Sequence, residues 1–382
     1  MRILYGVVGE GMGHATRSRV AIDHLIHEEG HEVEVVVSGR AHAMLEKHFP
    51  DVHKIWGLSM AFENAEFKVW RSLLRNLKQA VTDGIDENLL RYFEITSDFD
   101  PECVISDFES WSYLYGKAHD LPVLCVDNIQ MMSRCLHDPA VLDLHRKDYE
   151  LAKNFTKTKL ARSEHYYITT FYYPEVRKPR TTLVPSILRN EILGAQPSDG
   201  EHVLVYQTST SCAVLPDILR QFDDVPFKVY GYRRDIDGSV AEGHVTYCPF
   251  SETGFMEDLA SARAVITNGG FTLMSEAVYL HKPVLSIPLA GQFEQVLNAR
   301  YLEKEGYGAW SQSLDADAIV AFLERTHAHT EALQRYPSQD NGVLFGCVDE
   351  LVRLVSLDEP APDRLEAPAL GKYDGPPLPD GV

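Results

Sequence analysis

The chain has 382 residues, which is enough for two domains of common size. Its formal net charge of -20 argues against a general nucleic-acid binder and against a polybasic membrane surface, because both need clustered cations. The six cysteines are scattered without a Cys-x-x-Cys motif, so neither a zinc site nor a disulfide framework is expected. No apolar stretch approaches the roughly 20 residues of a membrane span, and no signal-peptide pattern precedes the first strand. We therefore expect a cytoplasmic protein without a transmembrane segment.

The first half of the chain alternates between strand and helix patterns. A buried strand is predicted at residues 2–8, followed by a helix to about residue 29 and a second strand at 32–37. Further strands are predicted at 101–107, 122–126, 166–171 and 182–184, whereas residues 55–100 are less regular, with helical spacing at 70–80 and 85–93. Two of these strands end on Asp107 and Asp127. This pattern is typical of an open α/β sheet, whose ligands bind beyond the carboxyl ends of the strands.

The same alternation restarts after a linker at residues 189–201. Strands are predicted at 202–206, 227–230, 245–247, 264–267 and 284–287, and a final helix at 343–355 precedes a tail rich in Pro, Asp and Gly. We therefore predict an α/β protein with two Rossmann-like domains, at 1–190 and 191–356, and a disordered tail at 357–382. A cleft between two such domains is a common ligand position.

A glycine turn in the second half is a candidate anion site. Asn268, Gly269 and Gly270 follow the strand at 264–267 and precede a helix whose apolar positions lie on one face. Glycines let the backbone approach a ligand, and the free amides of the first helical turn can point at an anion. An ordinary strand–helix–strand unit explains the same pattern equally well.

The glycine turn after the first strand invites comparison with a dinucleotide-binding loop. Gly9, Gly11 and Gly13 are followed by His14, which stands where the third Rossmann glycine is expected. The acidic residue expected at the end of the second strand is replaced by a segment ending in Arg40. Because an arginine there can hold a 2′-phosphate, NADP binding stays open as an alternative.

His14 is a candidate general base. Histidine titrates near neutral pH, and a neighbouring carboxylate can select the tautomer that leaves the other ring nitrogen free. A hydrogen-bonded polar side chain without a chemical role is the competing interpretation.

Together these residues resemble glycosyltransferases of the GT-B fold, and they are similar to the UDP-glycosyltransferases and to the bacterial N-acetylglucosaminyltransferase that makes lipid II. The chain most closely resembles a bacterial and archaeal branch of transferases with this Gly-x-Gly-His opening. The resemblance covers about residues 1–355. It implies an acceptor-binding first domain and a nucleotide-sugar-binding second domain that face each other across a cleft.

The resemblance implies roles for individual residues. His14 matches the family's base, and Asp107 matches the aspartate that orients it, although Asp107 is also placed to cap the next helix. The donor-binding residues implied are Asn268, Gly269, Gly270 and Thr272 for the diphosphate, Glu276 for the ribose, Glu294 and Gln295 for the sugar with Asn298 and Ala299 completing the motif, Phe250 near the uracil, and Ser209 in the loop 207–211.

Two departures from the family pattern affect the donor site. Asn268 stands where many UDP-glycosyltransferases have a phosphate-binding histidine, and the loop 207–211 is rich in hydroxyl side chains instead of glycine. A non-catalytic nucleotide-sugar-binding protein therefore stays open, as does a UDP-sugar 2-epimerase.

The implied reaction moves a sugar from a UDP-sugar, which is a substrate and not a cofactor, to an acceptor hydroxyl. The family is mostly inverting and needs no metal. Asp-x-Asp pairs occur at 98–100, 235–237 and 315–317, but none ends an apolar strand, so no metal site is predicted. His24, His27 and His31 are expected to be surface residues. The acceptor is not identified, and a lipid and a saccharide both stay open.

Overall fold

The computed structural model of the chain describes residues 1–9, 11–57, 62–63, 66–67, 85–207, 212, 214–249, 251–359 and 362. The helix predicted at 70–80, the loop 208–211 and most of the tail 357–382 lie outside these residues.

The first half of the chain forms a parallel sheet. Its strands are β1 (Arg2–Val7), β2 (Glu32–Ser38), β3 (Val52–Ile55), β4 (Phe62–Glu63), β5 (Glu66–Phe67), β6 (Cys103–Asp107), β7 (Val123–Asp127), β8 (His165–Thr170) and β9 (Thr181–Pro185). Seven of them pair in the order β3-β2-β1-β6-β7-β8-β9, all parallel, while β4 and β5 form a separate antiparallel hairpin. Every residue of β6, β7 and β8 is buried, as expected for a sheet covered on both faces.

The helices of this half are α1 (Met12–Asp23), continued by a π-helical turn (His24–Glu28), α2 (His42–Leu45) after a 3₁₀ turn (Gly39–Ala41), α3 (Ile85–Glu94), continued by a second π-helical turn (Ile95–Phe99), α4 (Ser110–Ala118), α5 (Met131–Arg134), α6 (Pro139–Leu142) and α7 (Arg146–Thr158). The helix predicted at 85–93 is therefore present. A short helix, α8 (Asn190–Leu193), lies within the predicted linker.

The second half repeats this architecture. Its strands are β10 (Val203–Tyr206), β11 (Phe227–Tyr230), β12 (Val240–Glu242), β13 (Val245–Cys248), β14 (Ala264–Thr267), β15 (Val284–Ser286) and β16 (Gly308–Trp310). They pair in the order β12-β13-β11-β10-β14-β15-β16, and only β12 runs antiparallel to its neighbour. The helices are α9 (Leu215–Leu219), α10 (Glu252–Ala260), α11 (Phe271–Tyr279), α12 (Phe293–Lys304), α13 (Ala316–Glu324), α14 (Thr326–Leu333) and α15 (Gly342–Ser356). The two predicted α/β halves are confirmed.

The last helix returns to the first sheet. The sequence boundaries assign α15 to the second domain, but its buried side chains share a core cluster with Ile3, Tyr5 and Ile105 of the first sheet. The hydroxyl of Tyr167 in β8 donates to the Cys347 carbonyl at 2.7 Å. Helix α15 therefore packs on the first sheet, although it follows the second sheet in the chain.

His24 contributes to the attachment of this helix, so the expectation that it lies on the surface is wrong. Its side chain is buried, its ring stacks on Phe345 of α15 with 3.9 Å between centroids, and its Nε2 lies 2.9 Å from Asp349. Asp349 and Glu28 raise the pKa of His24, although burial acts in the opposite direction. The imidazole is therefore held between two carboxylates. His27, by contrast, is exposed, with 71% of its side chain accessible.

Aromatic side chains join the two halves. Tyr172 of the first half stacks on Tyr301 of α12 with 4.1 Å between ring centroids, and Phe171 stacks on Phe271 of α11 at 5.8 Å. One buried cluster runs through this contact from the first half into the second. Apolar packing therefore holds the sheets on either side of a shared cleft.

Candidate active site

The carboxyl ends of both sheets carry the predicted site residues. In the first sheet the order of the strands reverses between β1 and β6. The glycine turn follows β1 at this point, and Asp107 ends β6. In the second sheet the change lies between β10 and β14, where Asn268 follows β14. Such switch points are the usual ligand positions in open α/β sheets.

The structure brings His14 and Asp107 together. His14 Nδ1 lies 2.9 Å from Asp107 Oδ1, and Asp107 is fully buried. Arg17, one turn after His14 on α1, forms a two-point ion pair with the same carboxylate, with Nε at 3.0 Å from Oδ2 and Nη2 at 2.5 Å from Oδ1. The hydroxyl of Ser18 also donates to Oδ2 at 3.0 Å. Asp107 is thus the centre of a buried hydrogen-bond network.

The tautomer of His14 depends on which of two neighbours its Nδ1 uses. Arg17 Nη2 lies 2.7 Å from Nδ1, and a guanidinium can only donate, so that contact needs an unprotonated Nδ1. The contact with Asp107 needs a protonated Nδ1 instead. In the second arrangement Arg17 donates only to Asp107, and the Nε2 lone pair of His14 is free for proton transfer.

The electrostatic environment keeps Asp107 ionised. Burial alone would raise the pKa of its carboxyl, but the charges of Arg17 and His14 and their hydrogen bonds hold that pKa well below its ordinary value. Asp107 is not the cap of the following helix, because the side chain of Glu109 accepts from the first amides of α4, at 2.8 Å and 2.6 Å. The capping alternative for Asp107 is therefore wrong.

Two further carboxyl groups lie close to this network. Asp127, at the end of β7, is fully buried. Its Oδ1 accepts from the backbone N–H of Gln130 at 2.7 Å, and its Oδ2 has no partner among the described residues. Burial, together with the charge of Asp107, raises the pKa of Asp127 to about 7. Glu294 of α12 is near enough to His14 and Arg17 for their charges to act on it, although burial raises its pKa overall. The predicted sugar-binding acid is therefore within electrostatic range of the predicted base.

The two glycine turns meet across the cleft. Thr272 Oγ1, in the first turn of α11, donates to the Gly13 carbonyl at 3.2 Å. A Cβ at position 13 would lie only 2.8 Å from this Thr272 hydroxyl. Gly269 has a φ of 85°, a conformation that L side chains rarely adopt, and Gly270 is the N-cap residue of α11. Helix α11 therefore begins directly opposite the start of α1.

Glu276, the predicted ribose ligand, is buried in an ion pair. Arg189 donates to both of its carboxylate oxygens, each at 2.7 Å, and reaches Glu252 at 3.4 Å. Glu252 in turn lies 3.7 Å from Arg19 of α1. The Glu276 carboxylate is thus already engaged by the linker arginine, Arg189. Ribose hydroxyls would have to bind the lone pairs that Arg189 leaves free.

The carboxyl edge of the second sheet encloses a cavity of about 300 Å³, at the lower end of the usual range for ligand sites. Gln207 and Asn268 line it, and both have a buried side-chain oxygen without a partner among the described residues. Such oxygens suit hydroxyl donors. Gln295 accepts from the Leu289 amide at 3.0 Å and so shapes the adjoining loop.

The remaining predicted donor residues have different positions. Asn298 is buried and accepts from the Tyr172 hydroxyl at 2.9 Å, so it belongs to the contact between the halves. Ala299 is also buried. Ser209 and Phe250 lie outside the described residues.

Sequence reasoning missed Arg17, Arg189 and the position of Asp127. Arg17 follows His14 by three residues on one helix, which places both side chains on one face and was a usable signal. Arg189 is 87 residues from Glu276, and no local pattern connects them. Asp127 ends a buried strand next to the strand of Asp107, and their shared edge could have been inferred from the predicted parallel pairing.

Comparisons with known proteins agree with this architecture. An uncharacterized glycosyltransferase of Methanosarcina mazei is 23% identical over 372 residues, spanning 90% of this chain and 96% of that protein. The solved structure of CalG4, the calicheamicin glycosyltransferase, superposes with a TM-score of 0.62 at 17% identity, covering 95% of this chain and all of that one.

A second solved structure has a similar fold. UGT2 of Phytolacca americana, solved with UDP-2-fluoroglucose and pterostilbene, superposes with a TM-score of 0.61 at 14% identity, covering 93% of this chain and 98% of that one. These likenesses confirm the predicted GT-B fold. The family described as Glycosyl transferase family 1 matches residues 1–327. The chain belongs to this family, and it is a glycosyltransferase.

Proposed function

We propose that the enzyme moves a sugar from a UDP-sugar to an acceptor hydroxyl with inversion, using His14 as the general base and no metal ion. The observation that carries the proposal is the contact between His14 and Asp107 at 2.9 Å, within electrostatic range of Glu294 of the opposite half. The UDP-2-fluoroglucose in the Phytolacca americana structure supports the choice of donor.

In the proposed step, His14 Nε2 takes the proton of the acceptor hydroxyl as its oxygen attacks the anomeric carbon. The new carbon–oxygen bond forms while the bond from that carbon to the diphosphate breaks. Asp107 holds Nδ1–H and stabilises the imidazolium that results. The departing diphosphate would be stabilised by the N-terminus of α11, where Gly270 is the cap residue. Backbone amides and hydroxyls at this helix N-terminus would stabilise the negative charge of the diphosphate.

The first test separates binding from chemistry. UDP should raise the melting temperature of the wild type and of His14→Ala alike, whereas His14→Ala should lose transfer by about 100-fold to 10,000-fold, the usual contribution of a general base. His27→Ala is the matched control, because His27 is exposed just beyond the same helix. Full activity in His14→Ala would remove His14 as the base.

The second test addresses the donor site. Glu276→Ala should abolish the rise in melting temperature caused by UDP, and each shift is measured against the same variant without ligand, because the substitution leaves Arg189 unpaired. Shifts with dTDP and GDP would rank the bases. If no nucleoside diphosphate stabilises the wild type, the donor-site proposal fails.

A UDP-sugar 2-epimerase is the second candidate, since two carboxyl groups besides Asp107 lie within electrostatic range of this network, Glu294 of His14 and Asp127 of Arg17. It predicts that a UDP-sugar is converted to its 2-epimer when no acceptor is present. Proton NMR of the sugar after incubation distinguishes this outcome from transfer, and also gives the anomeric configuration of a transferred sugar.

A further inference from the structure

Positive charge is concentrated in one segment of this acidic protein. Residues 146–180 contain nine Lys or Arg against four Asp or Glu, a local charge of +5, whereas the whole chain carries -20. The overall charge therefore conceals a region of opposite sign, and that region includes helix α7.

The outer face of α7 combines cations with exposed apolar side chains. Lys147, Leu151 and Phe155 follow one another at four-residue intervals and so share one side of the helix. Leu151 is 67% exposed and Phe155 is 51% exposed. Tyr149 and Thr156 are buried and attach the opposite side to the protein. An amphipathic helix normally turns such apolar residues inward.

The cations of this face are not neutralised. Lys153 pairs with Glu150 at 3.3 Å, but in the described part of the chain the exposed Lys147 and Lys157 have no carboxylate within ion-pair distance. Burial lowers the pKa of the nearby Lys178 to about 8, and crowding by other cations, including Lys153 and Lys157, adds to the effect. Several positive charges thus share a small area.

This surface, made of Lys147, Leu151, Phe155 and Lys157, is called the basic apolar face below. Lys159, directly after the helix, is not part of it, because its Nζ turns inward to lie 3.8 Å from the ring centroid of Phe108, the residue after Asp107, and burial lowers its pKa to about 8. The face borders the candidate active site through Phe155. The Phe108 and Phe155 rings are 6.4 Å apart.

We propose that the basic apolar face docks the enzyme on an anionic lipid bilayer. Interfacial helices bind by placing apolar side chains among the acyl chains while Lys and Arg contact anionic headgroups. A nucleic acid would satisfy the cations but leave Leu151 and Phe155 in water. Among the described residues no helix is long and apolar enough to cross a bilayer, so this mode is peripheral. The mouth of the active site would then open beside the headgroups.

Vesicle sedimentation tests the proposal and needs no turnover, so its outcome is independent of the proposed reaction. The full-length protein should sediment with vesicles of equal parts phosphatidylglycerol and phosphatidylcholine at low salt, less at high salt, and not with phosphatidylcholine alone. Each cation near an anionic bilayer strengthens binding about fivefold, so Lys147→Gln/Lys157→Gln should weaken it about 25-fold. Leu151→Ser should weaken it roughly fivefold through lost apolar burial.

The matched controls lie on the second half of the chain. Arg325→Gln/Arg335→Gln removes two exposed cations, and Val320→Ser removes an exposed apolar side chain. Both should bind the mixed vesicles like the wild type. The proposal is overturned if the wild type does not sediment with these vesicles at low salt, or if the control variants weaken sedimentation as much as the α7 variants.

Discussion

Asp127 gives the most quantitative prediction. Its carboxyl is fully buried and half-satisfied, and its pKa is raised from 3.8 to about 7. An acid whose pKa is raised by folding stabilises the fold while it is protonated, and this stabilisation is lost as the pH rises through the folded-state value. Near pH 5 the folded state holds about one more proton than the unfolded state, and this excess falls to about half a proton at pH 7. At about 1.4 kcal/mol per pKa unit, the cost of raising the pH from 5 to 8 is about 2.5 kcal/mol.

The assay is urea unfolding of the wild type and of Asp127→Asn at several pH values from 5 to 8. The amide can still accept from the Gln130 N–H, and any cost of its unpaired NH₂ does not change with pH. The wild type should therefore lose about 2.5 kcal/mol relative to the variant over this range. Asp143→Asn, at an exposed site, is the control and should give a curve parallel to the wild type. Parallel curves for Asp127→Asn would refute the reasoning.

Two further predictions concern stability near the cleft. Asp107→Asn leaves the buried Arg17 guanidinium without its carboxylate, so the free energy of unfolding should fall by about 3–5 kcal/mol. The double variant Arg17→Met/Asp107→Asn should recover part of this loss. If the losses of the two single variants simply add up in the double variant, the coupling between these residues is contradicted. Gly269→Ala should lower the melting temperature, because φ is 85° and the added Cβ would lie 2.8 Å from Ser286 Oγ, whereas Gly270→Ala, with nothing within 4 Å, should melt like the wild type. Equal melting temperatures for the two alanine variants would contradict the strain argument.

Strand patterns and strand-end residues predicted most of the fold and part of the site. Alternating apolar runs located both sheets, and the family resemblance, together with the acid at the end of the strand at 101–107, implied that Asp107 lies near His14. That inference works because parallel strands present their carboxyl ends at one edge. The roles of His14 and Asp107 remain proposals, although their separation of 2.9 Å fits them.

The contacts that sequence reasoning missed are long-range. The apolar face of α15 predicts an amphipathic helix but does not say which sheet it covers, and both sheets offer an apolar surface. Likewise, the glutamate of α11 predicted a ribose ligand, whereas the guanidinium of Arg189 occupies both oxygens of Glu276. A partner 87 residues away along the chain leaves no trace in local periodicity.

The return of α15 to the first sheet affects when the first half can fold during synthesis. Strands β1 to β9 are synthesised before the second sheet, yet the side chains that complete their core, from Val343 to Val352, are among the later residues to be translated. Domains generally fold as units from the N-terminus during synthesis. Here the first sheet must keep apolar surface uncovered until the second has been made. A ribosome-bound chain that stops short of residue 342 should therefore remain sensitive to protease in its first half, and both halves should become resistant together once α15 has emerged.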